Sequence, residues 1–209
     1  MEILQFLEAI NKNNIEIVKL LLEYANKNGI NIVNYPFSKA IHNNNIEIVK
    51  SLMEYANRNS NILNLNEKDE DGYCPNLKAL YNNNIEMAIL MMEYANKNNV
   101  IMELNEKNKF RSFPILEAII IDNIEIVELF MEYADNNNNI ILKLNEKDEN
   151  GNFPILETIY NDNIEMAKLI MEYADNNSIV IELNEKDKGG DHPILKAINN
   201  NNVKWLNYS

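Results

Sequence analysis

The sequence is short of most residues that announce secretion or catalysis. It has 1 cysteine, Cys74, in 209 residues, so no disulfide can form within the chain and nothing marks an oxidising compartment. Its 2 histidines, His42 and His192, stand 150 positions apart. No CxxC, HExxH, GxxxxGK[ST] or GxSxG pattern occurs, so the usual zinc, nucleotide and nucleophile-elbow signatures are missing. Gly189-Gly190 reads as a hairpin turn rather than a phosphate loop. Positive charge is also scarce: 19 Lys and Arg face 32 Asp and Glu, for a net charge of −13. Such a surface repels phosphate backbones, which argues against nucleic acid and anionic membranes as partners and favours a basic protein partner. The opening residues, "MEILQFLEAINKNN", hold neither a basic leader nor a long apolar run. No signal peptide or transmembrane span is expected, and the expected location is intracellular, in the cytoplasm.

What the chain has in abundance is asparagine, about a fifth of its residues. With 46% hydrophobic residues and only 5 glycines and 5 prolines, it can bury a core and is not a disordered polar tract. The asparagine, isoleucine and lysine bias reads more as AT-rich coding than as chemistry. One phrase recurs five times: "KNNIEIVKLLLEYANKN", "NNNIEIVKSLMEYANRN", "NNNIEMAILMMEYANKN", "IDNIEIVELFMEYADNN" and "NDNIEMAKLIMEYADNN". Its tyrosine falls at Tyr24, Tyr55, Tyr94, Tyr133 and Tyr173, in steps of 31, 39, 39 and 40 residues. Pro36, Pro75, Pro114, Pro154 and Pro193 keep the same beat, and nine residues separate each of the first four from the next "NIE". Periods of this length signal a solenoid, whose units bury their apolar faces only against one another.

Each period reads as two helices. Proline suits the first turn of a helix such as "PILETIY", where its missing N–H costs nothing. Asn161-Asp162-Asn163 then form a turn, since asparagine tolerates the left-handed conformation that ends a helix. In "IEMAKLIMEYA" the polar positions Glu165, Lys168 and Glu172 make one narrow stripe, so the helix should be buried on its other sides. The stripe recurs as Glu16/Lys19/Glu23, Glu47/Lys50/Glu54 and Glu125/Glu128/Glu132, and Ile89 interrupts it in the third copy. Between periods, "IVIELNEKDKGGDH" suggests an extended stretch and a turn whose glycine needs positive φ. Gly72 and Gly151 hold the same place.

These features resemble the ankyrin repeat, whose pattern is D-x-x-G-x-T-P-L-H-x-A, a tight turn, then N-x-E-I-V-K-L-L-L. "DENGNFPILETIYNDNIEMAKLIMEYA" and "DEDGYCPNLKALYNNNIEMAILMMEYA" follow it. The resemblance covers essentially the whole chain, from "FLEAINKNN" near Gln5 to a last helix pair cut short at Ser209. It implies an all-α, ankyrin-type solenoid of stacked helix-turn-helix repeats, about six of them, with short β-hairpin-like fingers, in one domain over residues 1–209. The chain departs from the pattern in several places. Cys74, Phe113, Phe153 and His192 replace the family's threonine, and Leu77, Leu116, Leu156 and Leu195 replace its histidine, so apolar packing should replace that hydrogen bond. Arg111 stands where the turn glycine belongs, so that finger is expected to be distorted.

No cofactor, metal or catalytic set is expected, and the chain reads as a non-enzyme. The rows of "IE" and "EY" glutamates read as a water-facing ridge, the Met-rich helices as core filler, and the repeated "LNEKD" as a finger stem with its charges in water. Recognition should use the positions that break the repeat. Two columns end the first helices: Asn11, His42, Tyr81, Ile120, Tyr160, Asn199, and Lys12, Asn43, Asn82, Ile121, Asn161, Asn200. The resemblance implies that they face the concave side and bind partners. Tyr81, Ile120, Ile121 and Tyr160 would form an apolar cluster there, with His42 at its edge and the finger-tip residues Phe110 and Tyr73 extending it. The leading expectation is a scaffold or adaptor that binds another protein on this face. The alternative is end-to-end self-association through Trp205, Leu206 and Tyr208.

Overall fold

The computed structural model describes residues 2–31, 34–137 and 140–199; Trp205, Leu206 and Tyr208 lie outside them. The contact pattern divides the chain into two compact units, Met1–Met102 and Glu103–Ser209. The first unit holds α1 (Glu2–Asn11), α2 (Ile15–Asn28), α3 (Asn34–His42), α4 (Ile46–Arg58), α5 (Pro75–Tyr81) and α6 (Ile85–Asn98). The second holds α7 (Pro114–Ile120), α8 (Ile124–Asn136), α9 (Pro154–Tyr160), α10 (Ile164–Asn176) and α11 (Pro193–Asn199). All described regular structure is helical. The helix pairs fall where the proline and "NIE" rhythm predicts, except that α3 begins two residues before Pro36.

Asparagine builds the joints of this fold, contrary to the expectation that its abundance carries little chemistry. Asn14, Asn45, Asn84, Asn123 and Asn163 cap the second helices, each side chain accepting the N–H three residues on. Such a cap is worth about 1 kcal/mol. Asn13, Asn44, Asn83, Asp122 and Asp162 take the left-handed turn position with φ between 50° and 56°, which these short polar side chains tolerate. At the far end of each second helix, the amides of Asn28, Asn59, Asn98, Asn137 and Asn177 donate to the carbonyl of the "EYA" tyrosine. Other asparagines tie repeats together. Asn43 and Asn82 donate to the Ile10 and Ile41 carbonyls in the first unit, and Asn161 to the Ile119 carbonyl in the second.

The second helices are buried as the stripe predicts. In α10, Glu165, Lys168 and Glu172 are exposed, whereas Met166, Ala167, Ile170 and Tyr173 are buried. The tyrosines also bond to the segment after the neighbouring second helix. Tyr55 Oη donates to the Ile30 carbonyl, while Tyr94 Oη and Tyr173 Oη accept the Leu63 and Leu142 N–H groups. Phe6, Phe37 and Leu52 are among the fully buried side chains of the first unit, and Phe113, Phe130 and Phe153 among those of the second. Met87, Met91, Met92, Met131 and Met166 are buried core residues, as expected, while Met171 is half-buried.

The fingers are turns rather than paired strands. Asp69, Asn108, Asp148 and Asp187 each donate their N–H to the carbonyl four residues on: Tyr73, Ser112, Asn152 and Asp191. Gly72, Arg111, Gly151 and Gly190 close these turns with φ of 80°, 60°, 87° and 88°. The finger bearing Arg111 is therefore not distorted: it keeps both turn hydrogen bonds, and arginine carries the conformational cost instead. Gly151 is required for a further reason, because a Cβ there would lie 2.8 Å from the Lys188 nitrogen. That nitrogen bonds to the Asn150 carbonyl and joins the two fingers.

The stem lysines Lys107, in "LNEKN", and Lys147, in "LNEKD", are not simply solvated, which corrects the reading of the stem. Lys107 pairs with Glu146 and lies 5.4 Å from the Phe113 ring centre, and Lys147 pairs with Glu185 and lies 5.4 Å from that of Phe153. Both also donate to a backbone carbonyl of the next stem, Lys147 and Lys186 respectively. Phe113 and Phe153, which replace the family's threonine, are fully buried; apolar packing does take over that corner, with a cation resting on each ring.

Candidate protein-binding face

In each unit the ends of the first helices and the fingers form one face, where the sequence varies from repeat to repeat. In the first unit this face centres on α5. Tyr81 is 58% exposed. Its ring packs against Tyr73 at 5.0 Å between centres. The Lys78 ammonium lies 4.7 Å from the Tyr73 ring centre and 5.3 Å from that of Tyr81, and it reaches Asp69 at 3.9 Å. Tyr73 is thus not a free finger-tip contact: it is buried and holds Tyr81 and Lys78 in place. His42 is exposed at the end of α3 and lines a groove of about 440 Å³ with Tyr35, Lys39, Glu67, Asp69 and Asp71. Cys74 is buried, and burial raises its thiol pKa, which makes it a core residue rather than a nucleophile.

In the second unit the same face carries Ile120 and Phe110, which are 36% and 44% exposed. Ile121 and Tyr160 are half-buried. Tyr160 packs on the following finger: its hydroxyl donates to Asp187 at 2.7 Å and lies 3.2 Å from Asp191. Lys196 pairs with Asp191 at 2.9 Å and sits 4.5 Å from the Tyr160 ring centre. Burial and the Asp187 carboxylate hold the Tyr160 hydroxyl far above the usual phenol range, so it remains a donor.

The fourth residue of each "P" helix decides how its finger is held. Lys78 faces Asp69. Glu117 instead accepts a hydrogen bond from Ser112 at 2.7 Å, in a finger whose turn residue is Asn108. Glu157 follows Asp148, so here acid meets acid. Burial first, then the charges of Asp148, Asp187 and Glu117, lift the Glu157 pKa to about 7. The fourth-position column Lys39, Lys78, Glu117, Glu157, Lys196 changes charge from repeat to repeat. Its link to the finger residue was the signal that sequence reasoning missed.

The stacked helical hairpins and their fingers define the class: an ankyrin-type solenoid. The family profile for ankyrin repeats (3 copies) matches residues 6–102. The fold is similar to that of an ankyrin repeat protein, EF0377, at a TM-score of 0.68 with 20% sequence identity, over 95% of this chain and 92% of that one. It is also similar to an ankyrin repeat domain (ABAYE2397) from Acinetobacter baumannii AYE, at a TM-score of 0.57 with 18% identity, over 78% and 71% of the two chains. No curated protein matches by sequence. Residues 6–102 thus match the ankyrin-repeat family, and the chain has the ankyrin-type fold. Ankyrin repeats generally mediate protein–protein interactions and are typically non-enzymatic modules. No helix among the described residues is long and apolar enough to cross a membrane.

Proposed function

We propose that this chain is a non-enzymatic scaffold or adaptor that binds another protein on the face made by its first helices and fingers. The observation that carries the reading is the exposure of Tyr81, Phe110 and Ile120 on that face. In each unit an exposed apolar side chain stands beside charged and polar groups, the pattern of a contact centre with a polar rim. On the second helices, Glu47 and Glu86 of the first unit and Glu125 and Glu165 of the second are exposed, and Lys50 bridges Glu86 at 2.9 Å.

A paired capture from the native cell's lysate tests this. The baits are the chain and a Tyr81→Ser, Phe110→Ser, Ile120→Ser variant shown by circular dichroism to be equally helical. A partner held by the first bait and lost from the second supports the reading. Identical capture by both baits contradicts it.

A further inference from the structure

Two stem lysines of the second unit are held in the same way. Lys107 lies 5.4 Å from the Phe113 ring centre, pairs with Glu146 and donates to the Lys147 carbonyl. Lys147 lies 5.4 Å from the Phe153 ring centre, pairs with Glu185 and donates to the Lys186 carbonyl. Each ammonium thus rests on the ring that precedes a helix-starting proline, and reaches the glutamate and the backbone of the next stem. A cation gains from both the ring face and the carboxylate.

In the first unit the same receiving groups occur at α3, but the sequence supplies no lysine for them. Tyr35 precedes Pro36 as Phe113 precedes Pro114 and Phe153 precedes Pro154, and Glu67 holds the place of Glu146 and Glu185 in its stem. Lys107 and Lys147 stand six residues before their rings; six residues before Tyr35 is Gly29, the cap that ends α2. The step from Tyr24 to Tyr55 is 31 residues, against 39 for the next, and the difference falls here. α2 ends at Asn28 and α3 begins at Asn34, whereas α4 ends at Arg58 and α5 begins at Pro75. Too short a connector to form a stem leaves open space beside the next one. Tyr35, Glu67 and Lys68 line a groove of about 440 Å³ there. Tyr35 is 63% exposed, where Phe113 and Phe153 are fully buried, and among the described residues Glu67 forms no ion pair. Four carboxylates, Glu67, Asp69, Glu70 and Asp71, line the groove with two lysines, Lys39 and Lys68, so its charge favours a cation.

We infer that this groove takes a lysine or arginine side chain of the protein partner, its cationic head on the Tyr35 ring and paired with Glu67. The incoming side chain does in the first unit what Lys107 and Lys147 do for their own repeats in the second. The inference rests on the protein-binding reading above and names the chemistry of the partner: a basic segment, whose neighbouring residues meet the acidic finger at Asp69, Glu70 and Asp71.

The test uses the full chain with tyrosine rings and glutamate carboxyl carbons labelled for NMR. The probes are acetyl-Gly-Lys-Gly-amide and acetyl-Gly-Arg-Gly-amide, with acetyl-Gly-norleucine-Gly-amide as the uncharged control. The expected result is that either basic probe shifts the Tyr35 ring and Glu67 carboxyl signals together. It should do so at concentrations that leave Glu16, exposed on α2, unmoved, and the norleucine peptide should do nothing. Tyr35 and Glu67 are both exposed, so Tyr35→Ser and Glu67→Gln should leave the chain folded. Each should weaken the basic probes about threefold, read at the signals of the other residue, while Glu16→Gln should not. Signals at Tyr35 and Glu67 that ignore both basic probes, or that answer the norleucine peptide equally, would overturn the inference. So would shifts that appear only together with Glu16, or equal weakening by Glu67→Gln and Glu16→Gln, since both are the diffuse attraction of a chain with net charge −13. The capture experiment above changes other residues, so the two readings fail separately. A partner lost with Tyr81, Phe110 and Ile120 while the basic probes fail removes the groove and leaves the face standing; a partner kept by that variant while the probes seat at Tyr35 and Glu67 does the reverse.

Discussion

Asn14–Lys19 and Asn45–Lys50 spell the same six residues, Asn-Ile-Glu-Ile-Val-Lys, yet they live in different surroundings. Ile48 is fully buried, whereas Ile17 is 45% exposed; Tyr55 is buried, whereas Tyr24 is exposed. Both helices are capped the same way, by Asn14 and Asn45. The difference is tertiary. The Tyr55 hydroxyl bonds to the Ile30 carbonyl beyond α2, while among the described residues no second helix stacks on the corresponding face of α2. A repeat's sequence therefore encodes its local shape, and its neighbours decide what that sequence is worth.

That contrast predicts the largest effect. Ile48→Ala should cost about 2–5 kcal/mol in a denaturant titration, and Ile17→Ala, in identical local sequence, less than about 1 kcal/mol. Equal losses would show that burial does not separate the two copies.

The comparison of Glu157 with Lys78 gives the next effect, through pH. An acid whose folded pKa is raised from 4.5 to about 7 keeps its proton in the folded chain while the unfolded chain ionises. Its penalty is absent below about pH 4.5, grows as pH rises to about 7 and is constant above. The native chain should lose on the order of 2 kcal/mol across that window, after a discount for partial hydration, and Glu157→Gln should remove that part of the slope. Thermal melts of both chains at intervals of pH check the sign.

Asn76 sharpens the comparison of the "P" helices. It is 1% exposed and neither side-chain polar atom has a partner, where the equivalent residues Ile115 and Ile155 are fully buried. Asn76→Ile should raise stability by about 1–2 kcal/mol, because it removes an unmet desolvation cost from the core. The smallest effect concerns the fingers. Arg111→Gly, at a φ of 60°, should raise stability by about 1 kcal/mol or less, and Gly151→Ala should do the opposite because of the close Lys188 backbone.

Much of the architecture was legible in the sequence because it depends on short-range rules repeated five times. Proline at a helix start, asparagine in the turn and a glutamate stripe at helical spacing mark the helix pairs, and the structure places them there. The side chains of the candidate face were less legible because their states depend on the partner repeat. Tyr73 looked like a finger-tip contact and is buried under Lys78 and Tyr81. Tyr160 was expected in an apolar cluster and is anchored to Asp187. Arg111 looked like a distortion and simply adopts the left-handed turn. Asparagine looked like compositional drift, because a cap, a left-handed turn and a cross-repeat bond leave the same letter in the sequence.

The proposed function divides the labour: residues that repeat hold the fold, and residues that vary at the first-helix ends and fingers are proposed to hold the partner. The most direct test measures melting temperature and partner capture together for two variants, Asn84→Ala with Asn163→Ala on the repeated joints, and Tyr81→Ser with Ile120→Ser on the varying face. The predicted result is a double dissociation, with a lower melting temperature and retained capture, below its melt, for the first variant, and an unchanged melting temperature with lost capture for the second. Capture lost only from the joint variant at a temperature where it is fully folded, with the face variant binding as the native chain does, would contradict the claim.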